Sequence, residues 1–185
     1  MKLPVPYYSQ FLDVTDPFWM LRSCGMACFK MVTEFQGKTL PDITTLCNEA
    51  KENDGYDMIN GWIHNYLVSK AKEIGLQAHR SEGLTHITDE IISSLDAGNP
   101  VIVSVEKRIL EQTKFHLIVI VGYDKPEPSD IGVASEFSTP YSLQPTTCFY
   151  YHEPESTDCE RGAFRTCDME TFTKYWRGKA IFISK

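Results

Sequence analysis

Cys24, in "LRSCGMACFKMV", and His116, in "FHLIVIVGYD", are the residues whose types and positions best suit chemistry. Cys24 stands just before a run in which Ala27, Cys28, Met31, Val32 and Phe35 recur at helical spacing, so it falls at the start of a helix. The dipole and free N–H groups at that end favour an anion, hence thiolate over thiol. Arg22 adds positive charge two residues upstream, and Gly25 leaves room for a substrate backbone to come close. A thiolate so placed is a nucleophile, and the adjoining N–H is a donor to an oxyanion. The competing reading is a small buried hydrophobe that packs with Cys28 on one helix stripe.

A cysteine nucleophile needs a base. Of the five histidines, His64, His79 and His86 lie on helices or polar segments and read as surface residues. His116 opens an apolar strand, where an imidazole is costly unless it is hydrogen-bonded or used. The competing reading is a satisfied core histidine. A third group commonly orients such a base. In "YYHEPES", Glu153 sits at a strand end before Pro154, and His152 beside it competes for the role. Gln10, in the arm "VPYYSQ", carries an amide that can serve a developing negative charge.

The elements that must position these groups are legible in outline. Residues 1–23 hold three prolines and no sustained period, which predicts an extended arm and loop. A helix follows from Cys24 to a cap at Gly37, and a second runs from Ile43 to Lys51 with Asp42 or Thr44 near its start. "NDGYD" is a loop. Ile59, Trp62, Ile63, Tyr66, Leu67 and Ala71 then predict a third helix ending near Gly75, with Trp62 in the core. "LQAHRSE" reads as a short strand, and "THITDEIISSLDAG" as a fourth helix stopped by Gly98. The second half is β-branched. "NPVIVSVE", "FHLIVIVGYD", "TTCFYYHE" and "KAIFISK" are strands, Trp176 is core, and residues 125–147 are a candidate mobile flap. Helices first and a mostly antiparallel sheet after them define an α+β fold, with one domain over residues 1–185.

Composition removes several function classes. With 42% apolar and 23% charged residues the chain is of ordinary globular make-up. A net charge of -7 argues against nucleic acid as a partner and inclines the surface toward basic or neutral substrates. The longest apolar runs are strand-sized, so no membrane span is expected, and "MKLPVPYYSQ" lacks a signal-like apolar region, which predicts a cytoplasmic protein. The six cysteines show no paired zinc spacing and read as free thiols, so neither metal nor cofactor is expected.

The stretches "VPYYSQ", "RSCGMACFKMV", "DGY…GW", "AKEIGL", "LDAGNPVIVSV", "FHLIVIVGYD", "FYYHEP" and "FTKYWRGKAIFI" together resemble the C39-like cysteine peptidases, a branch of the papain-like fold, in family order over nearly the whole chain. The resemblance implies a helical N-terminal half packed on the sheet and a peptide or protein substrate. It also implies Cys24 as nucleophile, His116 as base and Gln10 as oxyanion donor. Such peptidases usually carry Asp, sometimes Asn, where this chain has Glu153, and the stretch "FLDVTDPFWMLRS" is a long insertion between Gln10 and Cys24. Acyl transfer by the same machinery and a catalytically silent peptide-binding groove are the alternatives to hydrolysis, since a fold does not fix a function.

Overall fold

The β-branched runs of the second half are buried on both faces, as continuous apolar strands must be. The computed structural model describes residues 1–83, 87–107, 114–124 and 147–185. The first half consists of α1 (Pro17–Met20), α2 (Cys24–Phe35), α3 (Ile43–Glu52), the short β1 (Tyr56–Asp57) and β2 (Gly61–Trp62), and α4 (His64–Glu73). After β3 (Gln77–Glu82) and α5 (Ile87–Asp96) come β4 (Val101–Lys107), β5 (Lys114–Asp124), β6 (Cys148–His152), α6 (Cys159–Gly162), β7 (Arg165–Asp168), α7 (Met169–Tyr175) and β8 (Trp176–Ser184). Six strands pair in the order β3-β8-β4-β5-β6-β7, and every pairing is antiparallel. The α+β reading with helices packed on an antiparallel sheet is therefore correct. The expected segment 125–147 falls almost wholly outside the described residues, as does His86.

α2 is the element on which the site depends. Every residue from Cys24 to Thr33 is buried, so this helix is wrapped on all sides instead of showing one apolar stripe. Its one buried cation is satisfied: Lys30 donates to Glu34 and to the carbonyls of Leu40 and Pro41. Cys28 Sγ reaches Leu117 O of β5 at 3.3 Å, which ties the helix to the strand that carries His116. Ile102, Val103, Val119 and Ile120 are wholly buried at the sheet centre, and each such side chain contributes roughly 1.5–3 kcal/mol.

The N-terminal arm is held as firmly as a strand. Leu3 N donates to Val121 O at 2.7 Å and Lys2 bridges Gly122, where any Cβ would collide with Met1 O. Farther along, His152 Nε2 donates to Val5 O, Tyr7 Oη to Glu153 O and Ser9 Oγ to Ser156 O. The stretch after it is an ordered detour. Ser9 Oγ accepts from Phe11 and Leu12 N–H, Asp16 caps α1 with Pro17 at its first position, and Trp19 is buried with Nε1 on Asn48.

Two regions depart from expectation. The third helix begins at His64, not near Ile59. Residues 56–62 instead form a hairpin, in which Asp57 Oδ1 accepts from the N–H groups of Ile59 and Asn60, and Gly61 takes a positive φ of 76°. Turn chemistry in "DMING" overrides the 3.6-residue period there. Between Glu153 and the last strand, α6, β7 and α7 add structure the apolar pattern did not announce. They begin at capping aspartates, Asp158 for α6 and Asp168 for α7.

Candidate active site

Cys24 is the first residue of α2. Ser23 precedes it as the cap, and its carbonyl accepts from Ala27 N–H at 2.9 Å. Its hydroxyl makes no hydrogen bond to the first turn and is buried without a partner. The first N–H groups of the helix are thus left uncapped beside the thiol, as an anion-stabilising end requires.

Gly25 has a different use from the one expected of it. The Trp62 indole lies directly over it, and Trp62 Nε1 donates to Arg22 O at 2.7 Å. A Cβ on Gly25 would stand 2.7 Å from Trp62 Cδ2 and closer still to Cγ and Cδ1. Gly25→Ala is expected to cost about 1–3 kcal/mol, the usual penalty for forcing a methyl into a filled space. A lowered urea midpoint with unchanged slope checks this. An unchanged midpoint shows that the indole moves aside freely.

His116 lies on β5 opposite Val105 of β4, and is 5% exposed. Its Nε2 hydrogen-bonds Glu153 Oε1 at 2.5 Å. Burial pulls the imidazole pKa down, but the Glu153 charge and the Cys24 side chain beside the ring outweigh it, raising His116 to about 10. With Nε2 engaged by Glu153, Nδ1 is the nitrogen left to face the sulfur. Glu153 responds in the opposite sense. Burial pushes its carboxyl up, and the His116 charge and hydrogen bond with the Glu155 N–H overcome that, so the pKa is lowered.

The extra methylene of glutamate is accommodated by anchoring the residue at both ends. Glu153 N–H donates to Gly162 O at 2.8 Å, its carbonyl accepts from Tyr7 Oη at 2.7 Å, and Oε1 also accepts from Glu155 N–H at 2.9 Å. His152 does not share this role. It is wholly buried, with Nε2 donating to Val5 O and Nδ1 accepting from Phe164 N–H, so both ring nitrogens are spent on the backbone.

Gln10 reaches the same place by way of the pinned arm. Its N–H donates to Pro154 O at 2.8 Å, next to Glu153, and its side chain lines one cleft with Cys24 and His116. The insertion before Cys24 folds back as α1 and its turns, with Trp19 in the core and Leu21 and Arg22 on the cleft wall, and Gln10 still lines the cleft.

The cleft has a volume of about 390 Å³. Leu21, Met58, Ile59 and Phe115, four large apolar side chains left exposed, line it. Met58 and Ile59 come from the hairpin, whose second half, from Ile59, has the helical spacing that predicts a helix. The Asn60-Gly61 pair was the signal that would have found the hairpin. Trp62 lines the cleft, whereas Tyr7, Tyr8, Phe18 and Trp19 pack against the core elsewhere. His64 was expected at the surface. It is half-buried on the cleft wall, because α4 starts there and not one turn earlier.

A thiol at a helix start, set against an imidazole on an antiparallel sheet, is the plan of the papain-like cysteine peptidases, and the fold falls in that class. The chain belongs to the Peptidase_C39 like family, which matches residues 2–179, and is a cysteine peptidase of that class. Solved structures of similar fold include a double glycine motif protease from an AMS/PCAT transporter in complex with the leader peptide. It is 15% identical with a TM-score of 0.57 over 100% of this chain and 94% of that one. The peptidase domain of Streptococcus ComA, a bi-functional ABC transporter involved in a quorum sensing pathway, is 21% identical, with a TM-score of 0.58 over 99% of this chain and 97% of that one. No curated protein matches the sequence. Among the described residues, no helix is long and apolar enough to cross a membrane.

Proposed function

We propose that the cleft hydrolyses a peptide bond through Cys24, His116, Glu153 and Gln10, acting as one domain on a peptide or protein substrate. His116 takes the Cys24 proton, giving a thiolate–imidazolium pair. The thiolate attacks the scissile carbonyl, and the Cys24 N–H and the Gln10 amide donate to the resulting oxyanion. One such donor is worth about 2.7–4 kcal/mol in the transition state. His116 then protonates the leaving amine, and water releases the acyl group with His116 as base. Glu153 touches no reacting atom and positions the ring.

The observation that carries this reading is the buried hydrogen bond from Glu153 to His116, the imidazole that lines one cleft with Cys24 and Gln10. A histidine satisfied for packing alone needs no buried carboxylate, because neutral partners cost less to desolvate. The leader peptide bound by the double glycine motif protease supports a peptide as substrate. The buried thiols of Cys24, Cys28 and Cys47 are free, which fits the reducing, cytoplasmic setting expected from the sequence.

Iodoacetamide at substoichiometric dose, followed by peptide mapping, tests the proposal. Cys24 is expected to be alkylated at least tenfold faster than exposed Cys159, because it reacts as a thiolate. Burial raises the thiols of Cys28 and Cys47, so neither competes. Labelling of Cys24 no faster than Cys159 would leave a silent peptide-binding groove. Trapping of the acyl group by an added amine in place of water would convert the reading to acyl transfer.

A further inference from the structure

We infer that the cleft seats a substrate carboxylate on Arg177. This rests on the peptidase reading and adds a substrate class to it: peptides with an acidic side chain near the cut, or with a free C-terminal carboxylate there.

Arg177 lies near the start of β8 and lines the cleft with Cys24 and His116. Its guanidinium lies on the face of Phe115, with Cζ 3.1 Å from the ring centroid, and Phe115 immediately precedes His116. Nη1 donates to Ser104 Oγ at 3.1 Å. A stacked plane with one edge pinned is an oriented fork, and Ser104 uses only one of its five N–H donors. Carboxylates fit such a fork in a bidentate manner, and Lys would not reproduce the geometry.

Among the described residues, the charges around it leave that fork free. Lys107 and Glu155, which also line the cleft, already pair with each other. Glu106 is close enough to act on Arg177 electrostatically, yet among the described residues no carboxylate forms an ion pair with it. Arg22 lines the cleft too, with Nη1 held by Phe18 O at 2.9 Å. His64 registers the same field. Burial, then Lys179, Arg177 and Arg80, drive its pKa down to about 4, so it stays neutral on this wall. The cleft therefore presents cations although the whole chain carries a net charge of -7. Overall charge suggested basic or neutral substrates, and the local wall reverses that expectation.

The test compares alkylation of Cys24 by iodoacetate, which carries a carboxylate, with alkylation by the neutral iodoacetamide. The ratio of the two rates is expected to fall about fivefold in Arg177→Gln, to fall further in Arg177→Glu, and to be only partly restored in Arg177→Lys, which returns the charge without the fork. A distorted or partly unfolded variant slows both reagents and leaves the ratio alone. A ratio within twofold of wild type in both Arg177→Gln and Arg177→Glu overturns the inference while the peptidase reading stands. If iodoacetamide fails to single out Cys24 in the wild-type protein, that reading fails and takes this one with it. The source of the carboxylate is assigned by protection of Cys24 from iodoacetamide. The competitors are N-acetyl-Ala-Ala-Glu-Ala-amide, N-acetyl-Ala-Ala-Ala with a free acid, and N-acetyl-Ala-Ala-Gln-Ala-amide. Stronger protection by the first assigns a side chain, and by the second a chain terminus. Equal protection by all three overturns the inference.

Discussion

Cys24→Ala is expected to reduce peptide hydrolysis by about five to six orders of magnitude, to the level of the surrounding donors acting without a nucleophile. The size follows from the chemistry proposed for the cleft. With Sγ gone no covalent intermediate forms, and among the described residues no second thiol is poised to replace it. Cys28, one turn along α2, is wholly buried and engaged with Leu117 O, and its thiol is held well above the ordinary range by burial. The fold is expected to survive, because the change removes a single sulfur and leaves the same helix start. A small cavity of that kind costs about 1 kcal/mol. Digestion of a peptide library with mass-spectrometric readout, beside a urea unfolding curve, separates the two effects. Cleavage within tenfold of wild type in a folded Cys24→Ala protein would remove this residue from the chemistry.

Glu153→Gln is expected to produce the second largest effect, and to produce it as a change of pH profile. The Glu153 charge is the largest influence raising His116 to about 10 against the burial that opposes it. Glutamine keeps the shape and a hydrogen-bonding oxygen but not the charge, so the alkaline limit of Cys24 alkylation and of hydrolysis should move down from about 10 toward the ordinary histidine value of 6.5. At pH 8 the imidazolium would then be largely lost and turnover should fall by roughly a hundredfold or more, in the range typical of removing general acid–base help. A purely structural carboxylate would lower activity at every pH alike, so an unmoved alkaline limit refutes the positioning role.

The same pair dictates how stability responds to pH. His116 is raised, so its contribution is complete below 6.5 and is lost as pH rises through about 10. Glu153 is lowered, so its contribution is present above 4.5 and is lost as pH falls through its lower folded value. Both shifts describe one interaction, and its energy is counted once. In Glu153→Gln both limbs should flatten together.

Much of this architecture was legible because it is local. The start of α2 at Cys24 follows from apolar spacing, and the buried strands follow from continuous β-branched runs. Asp42 capping α3 and the positive φ of Gly37, Gly75 and Gly98 at helix ends are likewise written within a few residues. Where two local signals compete, turn chemistry prevails over helical spacing. Ile59 to Tyr66 has helical spacing, but Asp57 and Asn60-Gly61 make a turn, and the hairpin they form brings Met58 and Ile59 to the cleft. The α6–β7–α7 stretch carries little apolar periodicity, and its capping aspartates were the readable trace.

The sequence by itself determined which residue types stood at a helix start, at a strand opening and at a strand end, and so nominated Cys24, His116, Glu153 and Gln10. Tertiary structure alone decided which of two adjacent residues meets the imidazole. A strand alternates its faces, so His152 turns toward Val5 and Phe164, and Glu153 bonds His116. It alone decided that Trp62 covers Gly25, that the arm carries Gln10 into the cleft, and that Arg177 stands on Phe115 there. Propensity, capping and turn chemistry act over a few residues and are written in the chain. Contacts between residues tens of positions apart depend on strand register and packing, which exist only once the whole sheet has closed.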